Sequence, residues 1–377
     1  MISGKKVIDE LNQKNHSLFK SFFPNSHYSF DFKNIKKFKK FETVIVIGMG
    51  GSILGAKAIY SFFKYKIKKK FLFIDNLDQA FLNKIKSQYN LSKTLFLVIS
   101  KSGNTNETII NLSYFKSFLK KSNTIIISEN KNNFLCSFAR KEGFNFIKHN
   151  PSIGGRYSVF SEVGMLPAYL MGLNPHNFKK NLPKLLNNRK FIANSVRKIL
   201  KLNIKKSKTL ILFNYVPELN DFLFWCQQLF AESLGKNKKG FLPVISNAPK
   251  DHHSLLQLYL DGPKDKIFYV FSSTKQKNLK VNSNFFGEKM KYLNKKNYQD
   301  IKTSQRDAFI EVLRQNKNPF REIVVKKFNE DTLGKLFLSF ILETIILGKN
   351  MKINPFDQPA VEKVKILTKK FLFSKKL

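Results

Sequence analysis

The chain has 377 residues, 42% of them hydrophobic, which is enough for about two domains with sizeable cores. Its formal net charge is +41, but only seven of its 67 basic residues are Arg, the lysines run along the whole chain, and no helix-turn-helix, zinc or RNP-like pattern accompanies them, which argues against nucleic acid as the partner. No run of about 18 apolar residues offers a membrane span, and the two distant cysteines, Cys136 and Cys226, form neither a disulfide framework nor a metal set.

The lysine excess reads as compositional drift, although a diffuse positive field still attracts a small phosphorylated anion. Met1–Lys6 leads into no apolar signal core, so the cytoplasm is the expected compartment.

Residues 1–42 are polar and basic. Leu11, Leu18, Phe19, Phe22 and Phe23 predict one face of a short helix in an N-terminal helical extension. The character changes at Thr43. Thr43-Val-Ile-Val-Ile-Gly reads as a buried strand entering a glycine loop, Gly48-Met-Gly-Gly-Ser-Ile-Leu-Gly55, and a helical pattern follows through Tyr60, Phe62 and Phe63. The loop fails as a dinucleotide fingerprint, because Ile53 stands where the third Gly is needed. It fails as a P-loop too, because Ala56-Lys57 follows Gly55. Phe71–Asp75 is a second strand, Phe81–Tyr89 a helix and Leu95–Ser100 a third strand. Leu112–Leu119 is helical, Thr124–Ser128 a fourth strand and Asn145–Ile147 a short fifth. This alternation predicts an α/β fold, with a doubly wound parallel sheet over residues 43–178 and ligands beyond the carboxyl ends of its strands.

The basic segment 179–207 predicts a crossover helix. A second alternation over 208–354 predicts a second domain of the same kind. Its strands are Thr209–Phe213, Leu242–Ile245, Ile267–Phe271 and Ile323–Val325, and its helices Phe222–Leu234 and Leu333–Leu347. Residues 275–296 read as a polar surface excursion. Residues 355–377 close the chain with a basic helix over Val361–Phe371.

The stretch Leu95–Thr108 organises the rest. Five apolar residues lead into Ser100-Lys-Ser-Gly-Asn-Thr-Asn-Glu-Thr108. Asn104 and Glu107 match a capping box, predicting a helix that opens near Asn104 or Thr105. Hydroxyls at a strand end, beside free N–H groups at a helix start, suit a phosphate monoester. Gly103 lets the backbone turn sharply there.

Other stretches are ambiguous alone. In Gly154-Gly-Arg-Tyr-Ser-Val-Phe-Ser161, Arg156 is either a surface turn residue or one that reaches into a cleft. Glu232, on an apolar helix with Trp225, Leu229 and Phe230, either pairs with a Lys or serves as a base. His252 and His253 suggest a metal only weakly, because adjacent positions point apart and no ligand set supports them.

Together, in this order, the pieces resemble the phosphoglucose isomerase family over roughly residues 43–366. The specific matches are Gly-Gly-Arg-Tyr-Ser-Val-Phe-Ser, Ala-Glu-Ser-Leu-Gly-Lys, His-Ser-x-x-Gln and Asn-Pro-Phe-Asp-Gln-Pro-x-Val-Glu-x-x-Lys. The resemblance implies two sugar-isomerase (SIS) type domains and reversible interconversion of glucose 6-phosphate and fructose 6-phosphate through a cis-enediol, in glycolysis and gluconeogenesis. It implies no cofactor and no metal. Ser100, Lys101, Ser102 and Thr105 would hold the phosphate, with Ser102 standing where Thr is frequent, and Gly51 and Ser52 would line the sugar. Arg156 would face the reacting carbons. Gln228 and Glu232 match the family's Gln-x-x-x-Glu helix, with Glu232 as the base. Gln358 would lie near the phosphate. His253 and Lys365 would open the ring, His252 standing where Gln is usual and Lys363-Val364 where a small pair with Gly is frequent. The histidine comes from the neighbouring subunit in the family, so a homodimer with shared sites is implied. The alternatives are a dual phosphoglucose/phosphomannose isomerase and a non-catalytic sugar-phosphate-binding regulator. The joint presence of Glu232, His253 and Lys365 argues against the regulator.

Overall fold

The computed structural model describes residues 4–13, 16–188, 207–274, 279–282 and 287–374. Two parallel sheets carry it. The first is built from β1 (Thr43–Gly48), β2 (Lys70–Ile74), β3 (Thr94–Ile99), β4 (Thr124–Ser128) and β5 (Asn145–Lys148), in the order β2-β1-β3-β4-β5. The second holds β6 (Thr209–Asn214), β7 (Leu242–Asn247), β8 (Lys266–Ser273) and β9 (Phe320–Val325), in the order β7-β6-β8-β9. All pairs are parallel, as apolar strands separated by helices require.

The strand period of two sorts side chains onto opposite faces. Val44, Val46, Leu95 and Leu97 face one core, while Ile45, Ile47, Phe96 and Val98 face another. In the second sheet Leu210 and Leu212 join the first core, and Ile211 and Phe213 form a third. The inner faces of both sheets therefore share one core. Helices Leu54–Phe63, Glu162–Leu170, Asn220–Leu234 and Glu330–Asn350 fill it with Phe62, Met165, Trp225 and Phe337. That layer brings the Glu232 helix, Asn220–Leu234, against elements of the first sheet's domain.

Both sheets have a switch point where the chain reverses its direction of travel, between β1 and β3 and between β6 and β8. Loops beyond such points diverge and leave a crevice.

Several expected elements differ in detail. Leu11 lies in a helix over Gly4–Gln13, whereas Leu18 and Phe19 lie in a separate turn of helix, Ser17–Lys20, so they do not share one helical face with Phe22 and Phe23. His16 Nδ1 accepts from Leu18 N–H at 3.2 Å and starts the second helix afresh. The helix expected at Leu112–Leu119 runs instead over Asn106–Tyr114, and a tighter turn with i→i+3 bonds follows at Lys116–Phe118. Helices at Phe134–Glu142 and Tyr298–Gln315 were not predicted. Of the expected crossover, Leu182–Asn187 is helical and residues 189–206 lie outside the described residues. Of the polar excursion, 275–278 and 283–286 also lie outside them. The C-terminal helix, Ala360–Ser374, has no buried residue. Among the described residues, no helix is long and apolar enough to cross a membrane.

Candidate active site

The site grows from the carboxyl ends of β1 and β3, which are neighbours with Gly48 opposite Ile99. Beyond β3, Ser100 is buried, and its Oγ lies 2.9 Å from Thr105 Oγ1 and accepts from Gly103 N–H at 3.2 Å. Ser102 Oγ lies 3.5 Å from the same Thr105 hydroxyl and accepts from Asn104 N–H at 3.3 Å. Gly103 takes φ +69°, and a Cβ there would stand 1.9 Å from Asn133 Oδ1, so the turn admits only Gly.

The predicted capping box is absent. Thr105 is the N-cap of Asn106–Tyr114 and makes no side-chain cap bond, because Ser100 engages its hydroxyl. Asn104 Oδ1 instead accepts from Phe134 N–H at 2.8 Å. The first-turn N–H groups of this helix are thus left for an anion. The Lys101 ammonium turns to Pro151 O at 2.7 Å and lies 3.8 Å from Glu129, so it does not point at this cradle. Burial lowers its pKa, against the pull of Glu129.

Beyond β1, Gly51 packs on the turn that carries Arg156. A Cβ on Gly51 would fall 2.1 Å from Gly155 C and 2.5 Å from Arg156 N. Ser52 Cβ lies 3.3 Å from the Cβ position of Gly48, beside the end of β3. Ser158 Oγ donates to Gly155 O at 2.7 Å and steadies the turn.

Arg156 is 3% exposed and each of its five N–H groups has a partner. Nε donates to Ser233 Oγ at 2.7 Å. Nη1 donates to Glu232 Oε2 at 3.2 Å and Gln358 Oε1 at 2.9 Å, and Nη2 to Pro355 O at 2.7 Å and Asp357 O at 3.0 Å. Gln228 Nε2 holds the other Glu232 oxygen, Oε1, at 2.9 Å. Gln228, Glu232 and Ser233 share the helix Asn220–Leu234, where the i, i+4 spacing sets Gln228 against Glu232. Just past that helix, the Lys236 ammonium donates to Asp357 O at 2.6 Å and Asp357 Oδ1 at 2.7 Å, and also bonds Asn354 O. That bond to Lys236 holds the Asp357 carboxyl below its ordinary pKa. The Ala-Glu-Ser-Leu-Gly-Lys stretch therefore supplies a carboxylate, a hydroxyl and a latch for the 354–358 loop.

Arg156, Glu232, Gln228 and Gln358 are thus joined by direct hydrogen bonds, with Gly51 beside the Arg156 backbone and Gly50 beside Gln228. Gln358 Oε1 is held by Arg156 Nη1. Two expected residues lie apart from this network. His253 is exposed, in the turn after β7. Lys365 lies on the exposed C-terminal helix and pairs with Glu362 at 2.6 Å. His252 differs from His253, for its Nε2 meets Tyr215 Oη at 2.7 Å, and burial, then His253, lower its pKa. Ser233, Tyr157, Ser158 and the carbonyls of Pro355 and Asp357 are further parts of the site beyond the expected residues. A hydroxyl residue directly after each charged residue, Tyr157 after Arg156 and Ser233 after Glu232, was the available signal.

Two SIS-type parallel sheets with an anion-ready loop and a Glu–Arg pair beyond their carboxyl ends define a protein with the fold of phosphosugar isomerases. The chain belongs to the phosphoglucose isomerase family, whose model matches residues 1–376. It is 35% identical to a probable glucose-6-phosphate isomerase of Methanococcus maripaludis over 349 residues, 86% of this chain and 77% of that one. It is 34% identical to a glucose-6-phosphate isomerase of Methanocaldococcus jannaschii, over 88% of this chain and 86% of that one. The crystal structure of a glucose-6-phosphate isomerase from Chlamydia trachomatis shares the fold at a TM-score of 0.75 and 20% identity, over 89% of this chain and 70% of that one.

Proposed function

We propose that the protein is an aldose–ketose isomerase that interconverts glucose 6-phosphate and fructose 6-phosphate. The observation that carries this reading is the Glu232 carboxylate, held through one oxygen by Gln228 and through the other by Arg156, in a chain of this family. Glu232 removes the proton from C2 and returns it to C1. The negative charge that develops on the cis-enediolate oxygen falls to Arg156 Nη1. Arg156 can release Gln358 or Glu232 from Nη1 without disturbing Nε or Nη2, whose acceptors are buried or belong to the backbone.

The phosphate sits on the hydroxyls of Ser100, Ser102 and Thr105 and on the free N–H groups of the following helix, with Lys101 contributing its backbone. Gly51, Ser52 and Gln228 line the sugar, and Gln358 lies near the phosphate. Binding the phosphate away from the reacting carbons fixes the open chain against Glu232.

Ring opening needs an acid–base group near pH 7, and His253 fills that role from a second copy of the chain in a homodimer. Its exposure, after an edge strand, supports that placement. Lys365 serves at the ring oxygen. It follows Gln358 by only seven positions, which keeps it within reach of the site. On this reading the chain divides at the boundaries given above, and it works in the cytoplasm, where its two free, buried cysteines stay reduced. The reaction as written calls on no metal.

The test is a coupled assay of purified protein on fructose 6-phosphate and on mannose 6-phosphate, with a chelator present. Turnover of fructose 6-phosphate alone is expected. Turnover of both sugars would favour the dual-specificity enzyme. Loss of activity with the chelator would overturn the metal-free chemistry.

A further inference from the structure

The hydrogen bonds around the back of Arg156 have a fixed direction. The Pro355 carbonyl has no proton to give, so Tyr157 Oη donates to it at 2.9 Å. Tyr157 uses its only proton there, so its 2.9 Å contact with Ser233 is a bond donated by Ser233 Oγ. The same Ser233 oxygen accepts from Arg156 Nε at 2.7 Å. Arg156 Nη2 donates to the same Pro355 oxygen at 2.7 Å and closes the ring. Arg156, Tyr157, Ser233 and Pro355 are all buried, so water does not compete for these bonds. The ring ties together the Gly155–Phe160 turn, the Glu232 helix and the 354–358 loop.

We infer that Ser233 and Tyr157 are positioning residues, which act as a one-way hydrogen-bond relay that turns the Arg156 guanidinium so that only Nη1 faces Glu232. The inference rests on the roles given above to Glu232 and Arg156. A buried guanidinium must satisfy every donor. With Nε committed to Ser233 and Nη2 to two carbonyls, the plane of the guanidinium has one orientation left. Without the Ser233 oxygen, Nε seeks another acceptor and the plane turns, carrying Nη1 with it. Without the Tyr157 hydroxyl, the Ser233 proton turns to another acceptor and the alignment of its lone pair with Nε is lost. Bonds in such a chain also polarise one another. None of these groups belongs to the phosphate loop, so substrate affinity is largely independent of them.

The test uses Ser233→Ala, Tyr157→Phe, the double variant and Glu232→Gln in the full-length protein. It reads kcat and KM for fructose 6-phosphate in a coupled assay, with the melting temperature as a check on folding. Each single variant is expected to lose kcat by about 10- to 100-fold with KM changed less than about threefold. The double variant is expected to fall within about threefold of the worse single one, because both break one relay. Tyr157→Phe removes a single oxygen and decides the matter if Ser233→Ala does not fold. The inference is overturned if either folded single variant keeps kcat within about twofold of the parent while Glu232→Gln is inactive, or if the losses multiply in the double variant. An active Glu232→Gln protein would instead overturn the functional reading beneath it.

Discussion

Arg156 Nη1 donates to Glu232 Oε2 at 3.2 Å across an asymmetric boundary, for the Arg156 side chain is 3% exposed and that of Glu232 29%. The cation is fixed from behind and the carboxylate faces solvent. This suits a base that must serve two adjacent carbons while the counter-charge stays still.

Glu232→Gln keeps the shape of the side chain and can still accept from Arg156, but it cannot take a proton. Its kcat is expected to fall by about 1,000-fold, within the range seen for removal of a general base, with KM and melting temperature little changed. A coupled assay gives kcat. Loss of deuterium from C2 of labelled substrate into water reports the proton-transfer step by itself. Retention of that exchange in the variant would assign the base elsewhere.

Two glycines that face each other respond unequally to Ala. On Gly51 a Cβ would fall 2.1 Å from a backbone carbon of Gly155, which cannot move without shifting Arg156. On Gly155 a Cβ would meet Gly51 Cα at 3.6 Å, an ordinary contact. Gly51→Ala is therefore expected to lose several kcal/mol of stability, about 3 or more, together with nearly all activity. Gly155→Ala is expected to stay within about 1 kcal/mol of the parent. Urea titration of both variants checks this, and equal losses would mean that the turn is softer than its packing implies.

The strands were legible because their apolar runs match a parallel sheet buried on both faces, and Glu232 stood out as a carboxylate on an apolar helix. The Tyr298–Gln315 helix was not legible, since only Phe309, Ile310 and Leu313 of its 18 residues are buried and its polar surface hides the period. The capping box misled because Asn104 and Thr105 are each engaged by a residue outside the local pattern, Phe134 and Ser100. The acceptors that hold Arg156 were hidden for a different reason. Pro355 O and Asp357 O are backbone atoms 199 and 201 positions away, and a carbonyl leaves no mark in the sequence. Side-chain chemistry could be read from residue types, whereas the scaffold that aims it depends on the tertiary fold.

Lys179 gives the fold a pH dependence of its own. It is fully buried, donates to Ser26 Oγ at 2.7 Å and lies 4.3 Å from the centre of the Tyr28 ring. Burial lowers its pKa to about 7 against the opposing pull of Glu162. The unfolded chain, with an ordinary lysine, therefore binds more protons than the folded one between pH 7 and about 10.5. Stability should rise through that window as the burial penalty on the charged form is relieved, and should not vary with the titration of this group below it. Melting temperatures between pH 6 and 10 are expected to climb more steeply for the parent than for Lys179→Met. Parallel curves would mean that Lys179 stays charged in the fold.

The Lys236 latch lies directly between the Glu232 helix and the loop that holds Arg156. Lys236→Met removes its bonds to Asn354 O, Asp357 O and Asp357 Oδ1 and frees the 354–358 segment at one end. The Asp357 side chain is 52% exposed, so the ion pair itself adds little stability. The expected effect is on kcat, about 10-fold, through a looser hold on Arg156 Nη2. Asp357→Asn removes only the charge and leaves the carbonyl of residue 357 in place, so its kcat should stay within about twofold of the parent. A larger effect from Asp357→Asn than from Lys236→Met would show that the charge matters more than the tether.

Mixing two inactive variants distinguishes a shared site from one made within a single chain. His253 is exposed in the turn after β7, whereas Arg156 bonds both Glu232 and Gln358 within one chain. If His253 acts across a homodimer, His253→Ala and Glu232→Gln are each inactive alone but complement each other when mixed. In a mixed dimer, one site pairs the intact Glu232 of the first variant with the intact His253 of the second, and the other site carries both lesions. Equal amounts of freely exchanging subunits give half mixed dimers with one working site each, so about a quarter of the parent activity should return. Refolding the two variants together and assaying fructose 6-phosphate turnover measures this, with each variant refolded alone as the control. No recovery, in material that sizes as a dimer, would place His253 and Glu232 in the same subunit's site, with the 250–253 turn swinging inward to meet the substrate.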